Sequence, residues 1–333
     1  MSDARLVLII GSPRSGTTWL QMLLGAHPAV ASPQETDLFR MYLQPLAQSW
    51  DRQVEWLRDT SNDRRRKGLP TVVDAARFHE LGHDFVAATI DEVRARKPGS
   101  HIVVEKSPGH STCTDVIERF WPEATFIHVI RDGRDVAASL VAASTEFGRN
   151  FAPGSVGRAA RMWRTRLDGA RQAKDAPGGY IEVRYEELHT DGAATLQRAY
   201  AACGLEVSLD DCAATVQQFA FDKVSASGAV ATSIITGGEF DGDARTRVEP
   251  RGFFRKGVAG GWRDDWEFPQ RHDFDAAAGD MLIELGYERD HTWVGHGRAR
   301  HHWKEASARR TATLLRRAAK RIDRLAAPDT NDD

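Results

Sequence analysis

The stretch Leu6-Val-Leu-Ile-Ile-Gly11-Ser-Pro-Arg-Ser-Gly16-Thr-Thr-Trp19 decides how this chain is read. Leu6–Ile10 is short, continuous and aliphatic, which is the pattern of a strand buried on both faces of a parallel sheet. Gly11 and Gly16 bracket a tight turn, and Gly16–Gly25 reads as a helix. A strand, a glycine loop and a helix start make an anion site. The N–H groups at the helix N-terminus point at the ligand, and the helix dipole favours negative charge there. The two glycines keep the spacing of the phosphate-binding loop GxxxxGK[ST], but Thr17 stands where that loop carries its lysine. Kinase or NTP-hydrolysis chemistry then lacks its main contact to the β- and γ-phosphates. The cation sits earlier, at Arg14. The loop predicts a bound phosphate-like group and chemistry other than ordinary NTP hydrolysis.

Working outward, His101–Val104, Thr125–Ile130 and Tyr180–Val183 read as further strands, and Arg134–Ala143, Ala193–Cys203 and Phe274–Gly286 as helices. Strands alternating with helices predict an α/β fold of three layers, a central parallel sheet flanked by helices. Residues 37–98 read as a helical insertion, with Arg64-Arg65-Arg66-Lys67 as a solvated loop within it. Lys223–Trp262 reads as long loop structure, which in a compact domain is usually functional. One domain is expected over 1–295. The remainder, 296–333, is a basic helix with an acidic tail: His296–Ala326 has ten Lys/Arg against two Asp/Glu. That helix reads either as docked on its own domain or as an amphipathic contact for a membrane surface or partner.

Composition narrows the class. With 41% hydrophobic residues in 333, the chain can bury a large core. A net charge of −2 with 28% charged residues leaves neither a disordered chain nor the basic footprint of a nucleic-acid binder. Cys113, Cys203 and Cys212 form no CxxC pair and no metal-ligand spacing with histidines, so three reduced thiols are expected, with no structural zinc and no disulfide framework. The apolar run at the N-terminus is too short for a signal sequence, and no run approaches the ~20 residues that span a bilayer. The expected compartment is the cytoplasm, and the oligomeric state is left open.

Three more patches carry chemistry. In Phe126-Ile-His-Val-Ile-Arg131-Asp-Gly-Arg-Asp-Val-Ala-Ala-Ser139, Arg131 stands at the carboxyl end of a strand, where open α/β sheets bind ligands. Ser139 follows on the next helix; Arg134 reads as a surface or salt-bridge residue. Glu35, in His27-Pro28-Ala-Val-Ala-Ser-Pro-Gln-Glu35-Thr36, places a carboxylate beyond the first helix. Glu105-Lys106-Ser-Pro-Gly-His110 closes another strand with a lysine, and its histidine is a second candidate base; Glu105 reads as structural.

Pro13-Arg14-Ser15-Gly16-Thr17-Thr18 resembles the 5′-phosphosulfate loop of the sulfotransferases that use 3′-phosphoadenosine 5′-phosphosulfate (PAPS). The resemblance implies that Arg14 contacts the 5′-phosphosulfate, that Ser15–Thr18 cradle it, and that Trp19 lies against the adenine. A core aromatic is the other reading of Trp19. Arg131 and Ser139 match the family's 3′-phosphate motif, an Arg at a strand end and a Ser eight residues on. Ile181–Tyr185 resembles the turn that places a tyrosine near the nucleotide, here Tyr185. Arg255-Lys256-Gly257 resembles the segment that closes over the 3′-phosphate, although Gly261 stands where relatives usually carry aspartate. His-Pro followed by Glu-Thr is similar to the tyrosylprotein and bacterial members whose glutamate is the base, which favours Glu35. His110 lies four residues after Lys106, where the cytosolic members' histidine lies two after the lysine. The implied activity is transfer of a sulfonate from PAPS to a hydroxyl or amine acceptor, small molecule, glycan or lipid, with Glu35 as base, Arg14 and Lys106 on the sulfonate, adenosine 3′,5′-bisphosphate (PAP) as product and no metal. A kinase-like phosphotransferase and a non-catalytic nucleotide-binding module are the alternatives.

Overall fold

The computed structural model describes residues 4–59, 67–148, 152–220, 257 and 259–295. The chain divides into two compact units, Met1–Arg263 and Asp264–Asp333. The expected boundary at 295/296, and the basic helix beyond it, lie outside the described residues.

The first unit is built on five parallel strands: β1 Arg5–Gly11, β2 Val30–Ala31, β3 Ile102–Lys106, β4 Thr125–Ile130 and β5 Tyr180–Arg184, in the order β2-β3-β1-β4-β5. Side chains alternate across a strand, and β1 feeds two separate cores. Leu6, Leu8 and Ile10 join Val103, Phe126, Phe39, Trp50, Phe78 and Phe120 on one face. Val7 and Ile9 join Val104, Ile127, Val129, Leu20, Leu23, Leu196 and Tyr200 on the other. This is why the strand is aliphatic throughout, and it makes the sheet the middle of three layers. The second face is covered by α1 Thr17–Gly25, α7 Tyr185–Thr190 and α8 Gly192–Ala202.

The insertion occupies the connection between β2 and β3. A π-helical turn, Leu38–Leu43, runs into α2 Gln44–Arg58, and α3 Ala75–Ala95 follows, its Asp74 cap accepting from Arg77 N–H. Trp50 stacks on Phe78 with ring centroids 4.1 Å apart. The segment after β3 forms a 3₁₀ turn, Pro108–Thr112, and α4 Thr114–Phe120 leads to β4. Beyond β4 come α5 Gly133–Phe147 and α6 Val156–Arg171; α9 Leu209–Gln218 follows α8. The connections leave β1 for one side of the sheet and later cross to the other, so the order reverses at β1. Ligands bind outside strand carboxyl ends at such a reversal. Gly11, Lys106 and Ile130 end the three central strands there.

The second unit holds α10, Phe268–Glu284, broken at Ala278, and a 3₁₀ turn, His291–Val294, whose His291 Nδ1 lies 2.7 Å from Asp275 Oδ1. Cys113, Cys203 and Cys212 are buried free thiols. Among the described residues no helix is long and apolar enough to cross a membrane.

Candidate active site

The loop after β1 turns twice through the left-handed region. Arg14 has φ 73° and Gly16 has φ 94°. For Arg14 that conformation costs roughly 1–2 kcal/mol, and two long-range bonds secure it: its carbonyl accepts from Arg131 Nη1 at 3.1 Å and its Nε donates to Ser139 Oγ at 2.9 Å. Gly16 has a further constraint, because a Cβ there would stand 2.3 Å from the Tyr185 ring. Gly16 opens α1 with no side-chain cap, and the first turn holds no acidic residue. The dipole end is thereby left to a ligand. Ser15 Oγ is buried and has no hydrogen-bond partner among the described residues.

Arg131 leaves the end of β4 and lies between the loop carbonyl and Tyr185, its guanidinium carbon 4.1 Å from the ring centroid. Burial pushes the Tyr185 phenol up, against the pull of Arg131, so the ring stays neutral beneath that cation. The structure thus brings Arg14, Arg131, Ser139, Tyr185 and Gly16, expected from three separate stretches, into one cluster. Trp19 is buried against its neighbours: its Nε1 donates to Phe219 O at 2.8 Å and its ring meets those of His189 and Tyr185. Arg255 and Lys256 lie outside the described residues; Gly257 is described, with φ 63°.

A second cluster lies at the end of β3, the strand paired with β1. Lys106 Nζ donates to Glu35 Oε1 in a close ion pair. The lysine side chain is 2% exposed and the glutamate 46%, so the carboxylate is open to an incoming group while the ammonium is held inside. The Glu35 segment is anchored upstream, where Gln21 Nε2 donates to Ser32 Oγ and Pro33 O, and Ser32 Oγ donates to Val104 O.

The other base candidate, His110, is enclosed. It is fully buried; its Nε2 accepts from Phe39 N–H at 3.2 Å and its Nδ1 lies 3.0 Å from Glu105 Oε2. The ring is buried throughout, so neither nitrogen is presented to an acceptor. Arg134 makes the expected salt bridge, Nη2 to Asp132 Oδ2 at 2.8 Å, but as a buried residue stacked on Trp262, not on the surface. One contributor, Asp135, escaped the sequence reading. In the first turn of α5, it accepts from Gly260 N–H and Trp262 N–H at 2.7 and 3.0 Å. Glu105 is bonded internally, as its structural reading implies, and collects the hydroxyls of Thr36 and Ser107.

The family model described as "Sulfotransferase family" matches residues 7–211, from β1 into α9. The chain belongs to the sulfotransferase family. It is 28% identical over 195 residues to a Caenorhabditis briggsae protein assigned as a protein-tyrosine sulfotransferase, across 58% of this chain and 63% of that one. With human Protein-tyrosine sulfotransferase 1 it shares 29% over 139 residues, 42% of this chain and 34% of the human one. The chain therefore spans less than two thirds of the length of these curated relatives. A crystal structure of mouse sulfotransferase SULT7A1 complexed with PAP superposes with a TM-score of 0.52 at 13% identity, covering 84% of each chain, which is a likeness of fold. In this family member the matched region contains both clusters, the loop after β1 with Arg131 and the Glu35–Lys106 pair.

Proposed function

We propose that this chain transfers a sulfonate group from PAPS to a hydroxyl or amine acceptor, with Glu35 as the general base. The observation that carries the reading is the Glu35–Lys106 pair at the end of β3, an exposed carboxylate on a buried ammonium, beside the anion loop of β1. The donor-side residues fit a bisphosphorylated nucleotide. Among the described residues Ser15 Oγ is buried without a partner and the start of α1 has no side-chain cap, and Arg131 donates to the Arg14 carbonyl while Arg14 donates to Ser139. In this reading Arg14 and Ser15–Thr18 hold the 5′-phosphosulfate, and Arg131 and Ser139 hold the 3′-phosphate. Tyr185 backs Arg131, while Trp19 and the Arg255-Lys256-Gly257 segment complete the nucleotide side.

PAPS supplies a sulfonate already joined to a good leaving group. Glu35 takes the proton of the acceptor O–H or N–H as the acceptor atom bonds to sulfur and the sulfur–oxygen bond to the 5′-phosphate breaks; PAP leaves. Lys106 and Arg14 meet charge on the sulfonate and on the departing phosphate oxygen, where fixed cations in a partly dry site act most strongly. His110 is fully buried, which counts against it as the base. The insertion 37–98 shapes the acceptor side, for a small molecule, glycan or lipid, in the cytoplasm; the stretch 223–254, read as a second contributor, lies outside the described residues.

The test is incubation with PAPS, a chelator and a panel of phenols, alcohols, sugars and amines, following PAP formation. Turnover without free magnesium is expected; a requirement for ATP and magnesium would replace this reading with the phosphotransferase one. Glu35→Ala is expected to abolish transfer while PAP still binds by calorimetry. Normal turnover by that variant would remove Glu35 from the base role.

A further inference from the structure

Glu105 is a buried carboxylate that the proposed chemistry leaves unused. It is 4% exposed and precedes Lys106 on β3. Neighbours on a strand leave on opposite faces, yet both side chains serve the same short segment. Lys106 meets Glu35, and Glu105 Oε1 accepts from the next residue twice, from Thr36 N–H at 3.1 Å and Thr36 Oγ1 at 2.8 Å. The same oxygen accepts from Ser107 Oγ at 2.6 Å, and Ser107 Oγ accepts from Asp37 N–H at 3.0 Å. On the far side His110 Nδ1 lies 3.0 Å from Oε2, with its Nε2 fixed by Phe39 N–H.

Burial alone would push this carboxyl up. The His110 ring and the hydroxyls of Ser107 and Thr36 outweigh burial and hold it at about 2, so it is ionised at neutral pH. An ionised carboxylate inside a protein is strongly unfavourable unless its lone pairs are met. Here three of the donors belong to residues adjoining the two reactive groups: Thr36 follows Glu35, and Ser107 follows Lys106.

We propose that Glu105 is the positioning residue for the Glu35–Lys106 pair, a buried anchor that fixes the backbone on the carboxyl side of both. His110 is the strut that orients Glu105. The Gln21–Ser32–Val104 bonds hold the amino side of Glu35. The exposed base is therefore set at both ends although its own side chain is only tethered at its tip. The proposal rests on the reading of Glu35 as base.

The test uses the full chain, labelled at glutamate side-chain carboxyl carbons, in wild type, Glu105→Gln, Thr36→Val and Thr36→Ser. The Glu35 signal is identified by its disappearance in Glu35→Gln. In Glu105→Gln and Thr36→Val the Glu35 signal is expected to shift and broaden, and in Thr36→Ser to stay near its wild-type position, since that hydroxyl still reaches Glu105. With the best acceptor of the panel, kcat is expected to fall on the order of 100-fold in Glu105→Gln, as for a reacting group displaced by an ångström. PAP affinity is expected to be unchanged, and Thr36→Ser to restore most of what Thr36→Val loses. A merely structural role would lower Tm and the active fraction and leave the Glu35 signal of the folded fraction in place. An unmoved Glu35 signal in both Glu105→Gln and Thr36→Val overturns the proposal whatever turnover does; if Glu105→Gln does not fold, Thr36→Val decides alone. Failure of the wild type to bind PAP would instead sink the donor reading, and the carboxyl signal would still decide the positioning role.

Discussion

At Gly16 two demands coincide. The backbone is left-handed, and the space a Cβ would need is filled by the Tyr185 ring at 2.3 Å. Left-handed backbone alone costs a side-chain-bearing residue roughly 1–2 kcal/mol, and Tyr185 cannot retreat without disturbing Arg131, which lies on its face. Gly16→Ala is therefore expected to lose at least about 2 kcal/mol in urea unfolding, and also PAP affinity. Thr17→Ser, which keeps the hydroxyl and fits helical backbone, is expected to lose little of either. At this scale much of the site was legible in the sequence. Gly11, Arg14, Gly16, Arg131 and Glu35 could be picked out because glycine spacing and isolated charges at strand ends are local signals. What could not be read was pairing across the chain: that Arg14 Nε bonds Ser139, 125 positions away, or that His110 turns inward to Glu105. Those depend on how the loops after different strands pack together.

Among the elements, α5 does more than present Ser139. Its Asp132 cap accepts from Arg134 N–H, Asp132 also pairs with the Arg134 side chain, and Asp135 accepts two backbone N–H groups from the Gly260–Trp262 stretch. The start of one helix thereby holds the chain that follows Gly257. Asp135→Ala would leave the buried Trp262 N–H unmet, at about 1–3 kcal/mol, and the half-buried Gly260 N–H without its partner. The expected outcome is a red-shifted tryptophan emission as Trp262 loosens from Arg134, with a lower Tm. An unchanged spectrum would show that Trp262 is held by other contacts. Element boundaries were legible where the pattern was strong: β4 is found as expected, and α1 begins one residue late. β2 was missed because two residues, Val30–Ala31, carry no periodicity. β3 ends at Lys106, the lysine expected to close that strand.

Across the whole molecule, buried titratable groups set the response to acid. Burial, with Arg171 and Lys174 nearby, pushes His128 down to about 3 from 6.5. The folded chain keeps this ring neutral while the unfolded chain protonates it, so stability is lost as pH falls below 6.5, by about 1.4 kcal/mol per pH unit from this one group. Glu105 adds a second loss below its ordinary 4.5, continuing down to about 2. Urea unfolding between pH 8 and 4.5 is expected to follow the first slope, and His128→Gln to flatten it. An equally steep curve in that variant would place the sensitivity elsewhere. The α/β class and the three-layer arrangement were legible because aliphatic strands alternate with helices along the chain. The division after Arg263 was not, since it follows from contact density and leaves no mark in composition.

The Glu35 segment and the insertion come from one continuous connection, between β2 and β3, while the residues assigned to the nucleotide come from other connections. In the proposed reading, the connection that carries the base and much of the acceptor side is separate from those that carry the donor site. Exchanging the stretch 38–98 with that of another family member should retarget the acceptor and leave donor recognition untouched, so new specificities can be grafted on without rebuilding the engine beneath.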